Sequence, residues 1–273
     1  MNRFTLPLVI LASVAIAALL AWLALSTASF GDRRPRAEKP SNRAESVVTQ
    51  TLPPFKRLDV SGTAEITLVQ GATESVAITT PARREDHIDA EVRGDTLYIE
   101  SADTSRWWDL IFGSGRGGRT TQIVVTFKNL ESIAAAGTVK LTAAEIKVPD
   151  LRIAGAGGTS VKIGNLQSGQ LRLSGAGALK AELAGRVTDQ HVSIAGAGEY
   201  RGGKLVSQNA TVSVAGAGQV VINAEKTLNA TISGAGSVDY IGDPKVTERV
   251  SGAGRVRRRD AAESGMPRIA IAE

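Results

Sequence analysis

Side chains able to do acid–base, metal or nucleophilic chemistry are sparse in this chain. Among its 273 residues are two histidines and no cysteine, which excludes thiolate zinc sites, catalytic thiols, disulfides and a lipidated cysteine anchor. His87 lies in a charged stretch, and His191 lies in a column of polar residues that we assign to turns. Serines such as Ser174 have no evident base or orienting group. We therefore expect no enzyme activity, no catalytic residue, no metal site and no cofactor.

Aromatic side chains form the first candidate for binding a partner. Trp107, Trp108 and Phe112 lie in an insertion of residues 101–121 that continues into a glycine- and arginine-rich run. Long loops are often functional, and these rings could contact a glycan, a protein or the membrane interface. The alternatives are that they fold back to cover the open end of the fold, which we favour, or that the insertion is disordered.

Two arginines form the second candidate. Arg152 and Arg172 occupy equivalent outward positions of neighbouring repeats, where like charges repel. A bound anion, such as a uronate or a phosphate, would relieve that repulsion; otherwise the two side chains are simply solvated.

One short phrase, an aliphatic residue followed by Ala or Ser and then Gly-Ala-Gly, recurs along the second half of the chain. The six copies span residues 153–157, 173–177, 194–198, 214–218, 232–236 and 250–254, and a degenerate copy spans 133–137. The spacing between their final glycines stays close to twenty throughout and is slightly shorter in the last two steps. A fixed period of this length predicts a parallel β-helix, a solenoid of stacked coils.

Apolar and polar residues alternate on both sides of the phrase, as in half-buried strands. Each coil is therefore predicted to run through a strand, a Gly-Ala-Gly corner, a second strand and a polar turn, because glycine accepts positive φ and lets coils approach closely. Fixing about twenty residues costs roughly 1–2 kcal/mol each, whereas about four buried aliphatic side chains contribute roughly 1.5–3 kcal/mol each. We therefore expect the coils to stack in sequence order.

The stretch before the repeats is also predicted to be β-structure. Alternation of apolar and polar residues indicates short strands at 55–60, 64–69, 75–80, 88–92 and 96–100. They either begin the same solenoid irregularly or form a β cap on its first coil, since an open terminal coil must be covered.

The N-terminus carries a membrane or export signal. No charged residue occurs from Phe4 to Gly31, a length that suits either an uncleaved anchor helix or a cleaved signal peptide. Five bases follow it, which by the positive-inside rule would retain the body in the cytoplasm; they are Arg33, Arg34, Arg36, Lys39 and Arg43. We favour export because the predicted solenoid is typical of surface proteins.

The repeated Ser-Gly-Ala-Gly or Ala-Gly-Ala-Gly phrase resembles the head GIN domain of auto-transporter adhesins. The early motifs Asp59-Val60-Ser61-Gly62 and Gly94-Asp95-Thr96-Leu97 also resemble that family. The resemblance covers about residues 47–257 and implies a parallel β-helix, export into a bacterial envelope and an adhesive role. It brings no catalytic residues, and the aromatic insertion departs from it.

These observations predict an all-β chain with an N-terminal helix. Its predicted segments are a signal peptide or anchor at 1–31, a flexible linker at 32–46, a β-solenoid at 47–257 and a polar tail at 258–273, the solenoid being irregular over 47–127 and repetitive over 128–257. The predicted function is a non-enzymatic adhesin or scaffold of the cell envelope, anchored in the inner membrane facing the periplasm, or secreted if the signal is cleaved. The alternatives are a β-helix that binds or processes glycans and the ectodomain of a stress or signalling system. Expected partners are the membrane and a glycan or envelope protein; the mild net charge of +5 disfavours nucleic acid.

Overall fold

The computed structural model describes residues 45–81, 88–101 and 122–259. All regular elements in these ranges are β-strands, so this part of the chain is all-β, as predicted. No helix among the described residues is long and apolar enough to span a membrane. The predicted helix at 1–31, most of the predicted linker and the tail from residue 260 lie outside the described residues.

Twelve strands make up the described part of the chain. They are β1 Glu45–Thr51, β2 Arg57–Gln70, β3 Ser75–Pro81, β4 Ile88–Arg93, β5 Thr96–Ser101, β6 Gln122–Phe127, β7 Ser132–Lys147, β8 Asp150–Gly216, β9 Gln219–Gly234, β10 Ser237–Ile241, β11 Lys245–Gly252 and β12 Arg255–Arg258. All belong to one sheet, whose main path runs β1-β3-β6-β2-β7-β8-β9-β10-β12.

From β7 onward, each stretch pairs in parallel with the stretch one repeat earlier, which we call the ladder. Ile153 of β8 lies opposite Ile133 of β7, its equivalent in the preceding copy of the phrase. In the last repeats the equivalent glycines still face each other, as Gly252 and Gly234 do. The repeats of the ladder therefore follow each other in sequence order.

Alternation along the strands sorts side chains between the interior and the solvent. In β8, Leu171 and Leu173 are buried while Arg172 between them is exposed. The buried aliphatic side chains of successive repeats join one hydrophobic cluster that extends from Leu52 to Val238. Sharing this cluster gives each repeat the apolar contacts that a single repeat lacks.

Each repeat turns a corner at a glycine with positive φ. These corner glycines are Gly62, Gly137, Gly157, Gly177, Gly196, Gly216, Gly234 and Gly252. A Cβ built on Gly177 would lie 2.9 Å from the carbonyl oxygen of Gly157. The corner thus needs glycine both for its backbone conformation and for the close approach of neighbouring repeats.

The corner does not fall on the same glycine in every copy of the phrase. In the copies at 153–157 and 173–177 it is the last glycine, whereas from 194–198 onward it is the first. The step from Gly177 to Gly196 is consequently shorter by one residue than the step from Gly157 to Gly177. Aligning the copies on their first glycine therefore places repeats on the two sides of this junction out of register by two residues.

The remaining glycine of each phrase makes room inside the corner. A Cβ on Gly175 would lie 2.5 Å from Cδ2 of Leu179, and a Cβ on Gly218 would lie 2.8 Å from Cγ1 of Val214. The large side chain follows the phrase in the early copy and opens it in the late copy. We call this second glycine the room-making glycine. Between the early and the late copies, the corner glycine and the room-making glycine have exchanged positions within the phrase.

The strands before the ladder do not lie in sequence order. The predicted strands at 55–60 and 64–69 are one strand, β2, because Gly62 lets the chain turn without leaving the sheet. β5 and β6 pair with the two halves of β2 on the side opposite β7. β3 and β1 then continue from β6 in antiparallel pairing. This region therefore mixes parallel pairing, as in the ladder, with antiparallel pairing, which the ladder lacks among the pairs described.

The last strands end the apolar columns. Ala230, which is 1% exposed, lies opposite Glu248 of β11, so a carboxylate occupies a column that is apolar in the preceding repeat. Val250, opposite the buried Ile232, is 42% exposed. Glu248 is itself exposed at this end of the ladder, where a charged side chain discourages further strand pairing.

Candidate binding site

The aromatic candidates lie outside the described residues. Trp107, Trp108 and Phe112 fall between the end of β5 and the start of β6. Ser101 lies opposite Gly62, and Gln122 lies opposite Glu65. The two described residues that flank the insertion therefore both lie beside the corner at Gly62.

The arginine candidates line the same cavity. Arg152 lies opposite Ser132, which lies opposite Arg57, and Arg172 follows one repeat later. Arg57, Arg152 and Arg172 line a shallow cavity of about 350 Å³ with Glu131, Asp150 and Gln170. We call these three arginines and their outward neighbours in the same column the arginine column.

The arginines of the arginine column differ in whether they form ion pairs. Arg57 donates a hydrogen bond to Asp95 and so lowers the pKa of that carboxyl group. Glu131 pairs with Lys56 at 3.0 Å. Within the described ranges, no ion pair involves Arg152 or Arg172. These two guanidinium groups are exposed and remain available to an anion.

His191 continues the arginine column, which the sequence did not reveal. A Cβ on Gly196 would lie 2.8 Å from the carbonyl oxygen of Gly177, so the residues five positions earlier, His191 and Arg172, are neighbours. The polar column of the sequence predicts a turn at His191, but this residue lies within β8 and is exposed. Gln190 and Val192 on either side of it are both buried, but because Gln190 is polar, the alternation of residue types did not indicate a strand here.

A larger groove lies on the outward face of the strands that follow the corners. Its volume is about 580 Å³, and it crosses three successive stretches of β8, then β9 and β10. Seven charged residues line it, namely Lys162, Glu182, Glu199, Arg201, Lys204, Asp239 and Arg259. The groove therefore depends on the register between repeats, since each repeat supplies only a short part of its lining.

Small side chains create the depth of the groove. Gly164, Ala184, Gly203 and Val221 line it where neighbouring outward positions carry long side chains. Gly202 lies opposite Ile222 but Val206 lies opposite Asn223, so residues 203–205 form a bulge. The bulge carries the exposed Lys204 to the edge of the groove. Bulges commonly re-aim side chains beside functional sites.

Two of the three carboxylates in the groove are held by guanidinium groups. Arg201 contacts Glu199 at 2.6 Å. Arg257 and Arg259 each contact Asp239 at 3.2 Å, and the side chain of Asp239 is only 12% exposed. These pairs fix the carboxylate oxygens as hydrogen-bond acceptors at defined positions.

A hydrogen-bonded polar pair lies inside the fold beneath the groove. Gln190 donates from Nε2 to the hydroxyl of Tyr200, and both residues are fully buried. Burial raises the pKa of Tyr200, so its phenol stays neutral at physiological pH. Gly202 leaves space for the ring, since a Cβ there would lie 2.7 Å from the tyrosine oxygen. The pair has a structural role.

The described residues offer no cluster for a metal ion. No group of three or more histidine, aspartate or glutamate side chains is close enough in these ranges to hold one. The candidate sites are therefore charged surfaces that suit binding through hydrogen bonds and ion pairs.

Residues 54–244 match the family model described as "Putative auto-transporter adhesin, head GIN domain". No curated protein matches the chain. A crystal structure of a putative adhesin from Bacteroides fragilis shares 22% identity and a TM-score of 0.69, over 81% of this chain and 98% of that one. One from Parabacteroides merdae shares 19% identity and a TM-score of 0.60, over 80% and 97%. A putative lipid binding protein from Parabacteroides distasonis has 19% identity and a TM-score of 0.55, over 80% and 98%. These structures share the fold of this chain.

Proposed function

This chain belongs to the head GIN domain family, and from that membership we propose that it is a non-enzymatic protein of the bacterial cell envelope that acts by contact, as an adhesin or an envelope scaffold. The observation that carries the proposal is the series of exposed polar columns held in register by the ladder. Rigid strands hold surface side chains at fixed spacing, which favours recognition.

We propose that the ladder closes into a β-solenoid. Three findings support this: parallel pairing of each repeat with the one before it at a nearly constant offset, corner glycines in every repeat, and inward columns that feed one hydrophobic cluster. Residues 47–257 are proposed as this domain, between the linker at 32–46 and the tail at 258–273.

We propose that residues 1–31 direct the chain into the envelope, as an inner-membrane anchor or as a cleaved signal peptide. The uncharged stretch from Phe4 to Gly31 supports this. The naming of structural relatives as adhesins agrees with an envelope or surface protein.

Arg152 and Arg172 are proposed to contact an anionic group of the partner, such as a uronate or a phosphate. Their exposure and their freedom from ion pairs within the described ranges support this, and His191 extends the same column. The aromatic residues Trp107, Trp108 and Phe112 are proposed as a second contact.

Protease accessibility tests the location of the chain. Cells expressing the full-length chain with a C-terminal tag are treated with protease while intact, after outer-membrane permeabilisation, and after lysis. Digestion before the inner membrane is breached is the expected result. Digestion only after lysis would contradict an envelope location. A cytoplasmic protein and a periplasmic protein, followed in the same samples, serve as controls.

A glycan-processing enzyme is the second candidate function. The specific observation in its favour is that Glu182, Glu199 and Asp239 line one groove, since glycoside hydrolysis uses paired carboxylates. Against it, Glu199 and Asp239 are engaged by arginines. Release of reducing ends from cell-wall polysaccharide by the wild-type chain, abolished in Glu182→Gln, would favour the enzyme over the adhesin.

A further inference from the structure

We propose that the groove binds an uncharged, linear oligosaccharide whose chain lies across the strands. The inference deepens the proposed contact function and rests on it, because it names the class of ligand that the outer face would hold. The groove is distinct from the arginine column, which is lined by other residues.

The dimensions of the groove fit an extended chain molecule. Its lining comes from five successive stretches of the sheet, at residues 162–164, 182–184, 199–204, 219–221 and 237–239. Neighbouring strands lie about 4.8 Å apart, so the groove is roughly 20 Å long. Its volume of about 580 Å³ lies in the range of small-molecule sites. A short oligosaccharide running along the ladder would fill it.

The polar groups in the groove are arranged so that they can form hydrogen bonds with the hydroxyl groups of a sugar. The Glu199–Arg201 and Asp239–Arg259 pairs present acceptors and donors side by side, and Gln219 and Ser237 add further polar atoms. Adjacent sugar hydroxyls donate and accept at once, so they can bond both members of such a pair. Ion pairing also fixes these side chains before binding, which lowers the entropic cost of ordering them.

The floor of the groove suits the carbon-bound face of a sugar ring. Val221 and Ala184 supply apolar contact, and Gly164 and Gly203 let a ring approach the backbone. An acyl chain would need apolar walls as well, but seven charged side chains surround this floor. The arrangement therefore favours a sugar over a lipid.

The charge balance of the groove argues for an uncharged ligand. Four cationic and three anionic side chains line it, and two of the carboxylates are compensated by arginines. A polyanion would meet a carboxylate on three of the five stretches that line the groove, at Glu182, Glu199 and Asp239. A neutral chain meets donors and acceptors without net repulsion.

The test uses the full-length chain purified in mild detergent. Cellotetraose, maltotetraose and fully N-acetylated chitotetraose serve as uncharged probes, tetragalacturonate is the charged comparator, and phosphatidylglycerol vesicles are the lipid comparator. Binding is measured by calorimetry and by saturation-transfer NMR. At least one uncharged tetrasaccharide is expected to bind, and to bind more tightly than tetragalacturonate.

Ala184→Gln places a longer, uncharged side chain in the groove and is expected to weaken binding at least about tenfold, since the ring loses its contact surface. Ala154→Gln is the matched control, because Ala154 is half-buried like Ala184 but does not line the groove. Circular dichroism and the unfolding midpoint report whether both variants fold. Unchanged affinity in Ala184→Gln, equal loss in Ala154→Gln, or no binding of any uncharged probe at millimolar concentration overturns the inference, as does tighter binding of tetragalacturonate or vesicles.

Failure of the inference is distinguishable from failure of the proposed function. If the chain is accessible to protease in the envelope but binds no uncharged probe, the groove inference fails and the contact function stands. If the groove binds a probe but the chain is digested only after lysis, the envelope function fails. Cleavage of a bound tetrasaccharide, followed by chromatography, would replace the contact function with the enzyme.

Discussion

The repeats on the two sides of the junction between Gly177 and Gly196 use the same phrase in opposite ways. Before it, the last glycine turns the corner and the first makes room for a side chain that follows, as Gly175 does for Leu179. After it, the first glycine turns the corner and the last makes room for a side chain that precedes, as Gly218 does for Val214. The same Gly-Ala-Gly sequence therefore places the corner on different glycines in the two groups of repeats.

The room-making glycine lies four residues from the side chain that it accommodates in both kinds of repeat, before it in the early copy and after it in the late copy. Every copy of the phrase begins with an aliphatic residue, so the phrase itself does not distinguish the two arrangements. Since both of its glycines can adopt positive φ, the difference lies in how side chains pack across the corner.

The largest expected effect is a loss of stability when a corner glycine is replaced, and the position of that glycine in the phrase differs on the two sides of the junction. Gly177→Ala and Gly216→Ala are each expected to destabilise the fold by about 3 kcal/mol, since each forces a side chain into positive φ and against the neighbouring backbone. Chemical denaturation measures the loss. In the early copy the last glycine should be the more sensitive, and in the late copy the first.

Gly158→Ala is the matched control for the corner variants. Gly158 is exposed, and a Cβ there would meet no atom closer than 3.9 Å. Its substitution should leave the unfolding midpoint almost unchanged. Equal sensitivity of Gly175 and Gly177, or of Gly216 and Gly218, would remove the distinction between the two kinds of repeat.

The next effect concerns the room-making glycines. Gly175→Ala and Gly218→Ala are each expected to cost about 2 kcal/mol through overpacking. Double-mutant cycles with Leu179→Ala and Val214→Ala should show that each pair costs less than the sum of its single changes, by about 1 kcal/mol. Exchanging the partners between the two copies should give additive losses; coupling in the exchanged pairs would contradict the proposed contacts.

A smaller effect is expected from the polar pair that follows the junction. Tyr200→Phe removes the acceptor of Gln190 and should cost about 1 kcal/mol by leaving a buried amide unpaired. Adding Gln190→Leu should recover much of that loss, since the buried Leu171 occupies the neighbouring position of the preceding repeat. Tyr240→Phe is the control, because no side-chain hydrogen bond of Tyr240 occurs within the described ranges. Thermal unfolding of Tyr200→Phe, of the double variant with Gln190→Leu and of Tyr240→Phe measures the pattern.

The smallest effect is a pH dependence outside the ladder repeats. Arg57 lowers the pKa of Asp95, so this contact stabilises the fold at neutral pH and is lost as the pH falls through the lowered pKa. Because both side chains are largely exposed, the effect should be slight. Wild type should lose slightly more thermal stability than Asp95→Asn between pH 7 and acidic pH. A larger acid loss in Asp95→Asn would reverse the sign and contradict this account.

The general architecture could be predicted from the sequence because it depends on the alternation of apolar and polar residues and on the repeated phrase. The all-β content, the glycine corners and the closeness of Arg152 to Arg172 follow from period and spacing alone. The corner shift could not be read in this way, since both candidate positions in each phrase are glycine. The same shift places His191 beside Arg172, where alignment on the first glycine of each phrase puts Ser193.

Other features depend on pairings between distant parts of the chain. β5 and β6 pair with β2 although both come much later in the chain, as Thr96 opposite Arg57 and Gln122 opposite Glu65 show, and no local pattern reports such a pairing. The groove likewise needs five stretches in exact lateral order, plus a bulge after Gly202. Its residues look unremarkable when each is read within its own repeat.

The pair of glycines in each phrase has a consequence for how such a chain can change over time. A turn that gains or loses a residue would ordinarily throw every later segment onto the wrong face. Here the bend can pass from one glycine to the other, as it does between Gly177 and Gly196, and the downstream segments keep their faces. Because either glycine can form the corner, repeats of unequal length can be joined in one molecule. Insertions that would disrupt a fold with a fixed corner position can therefore persist.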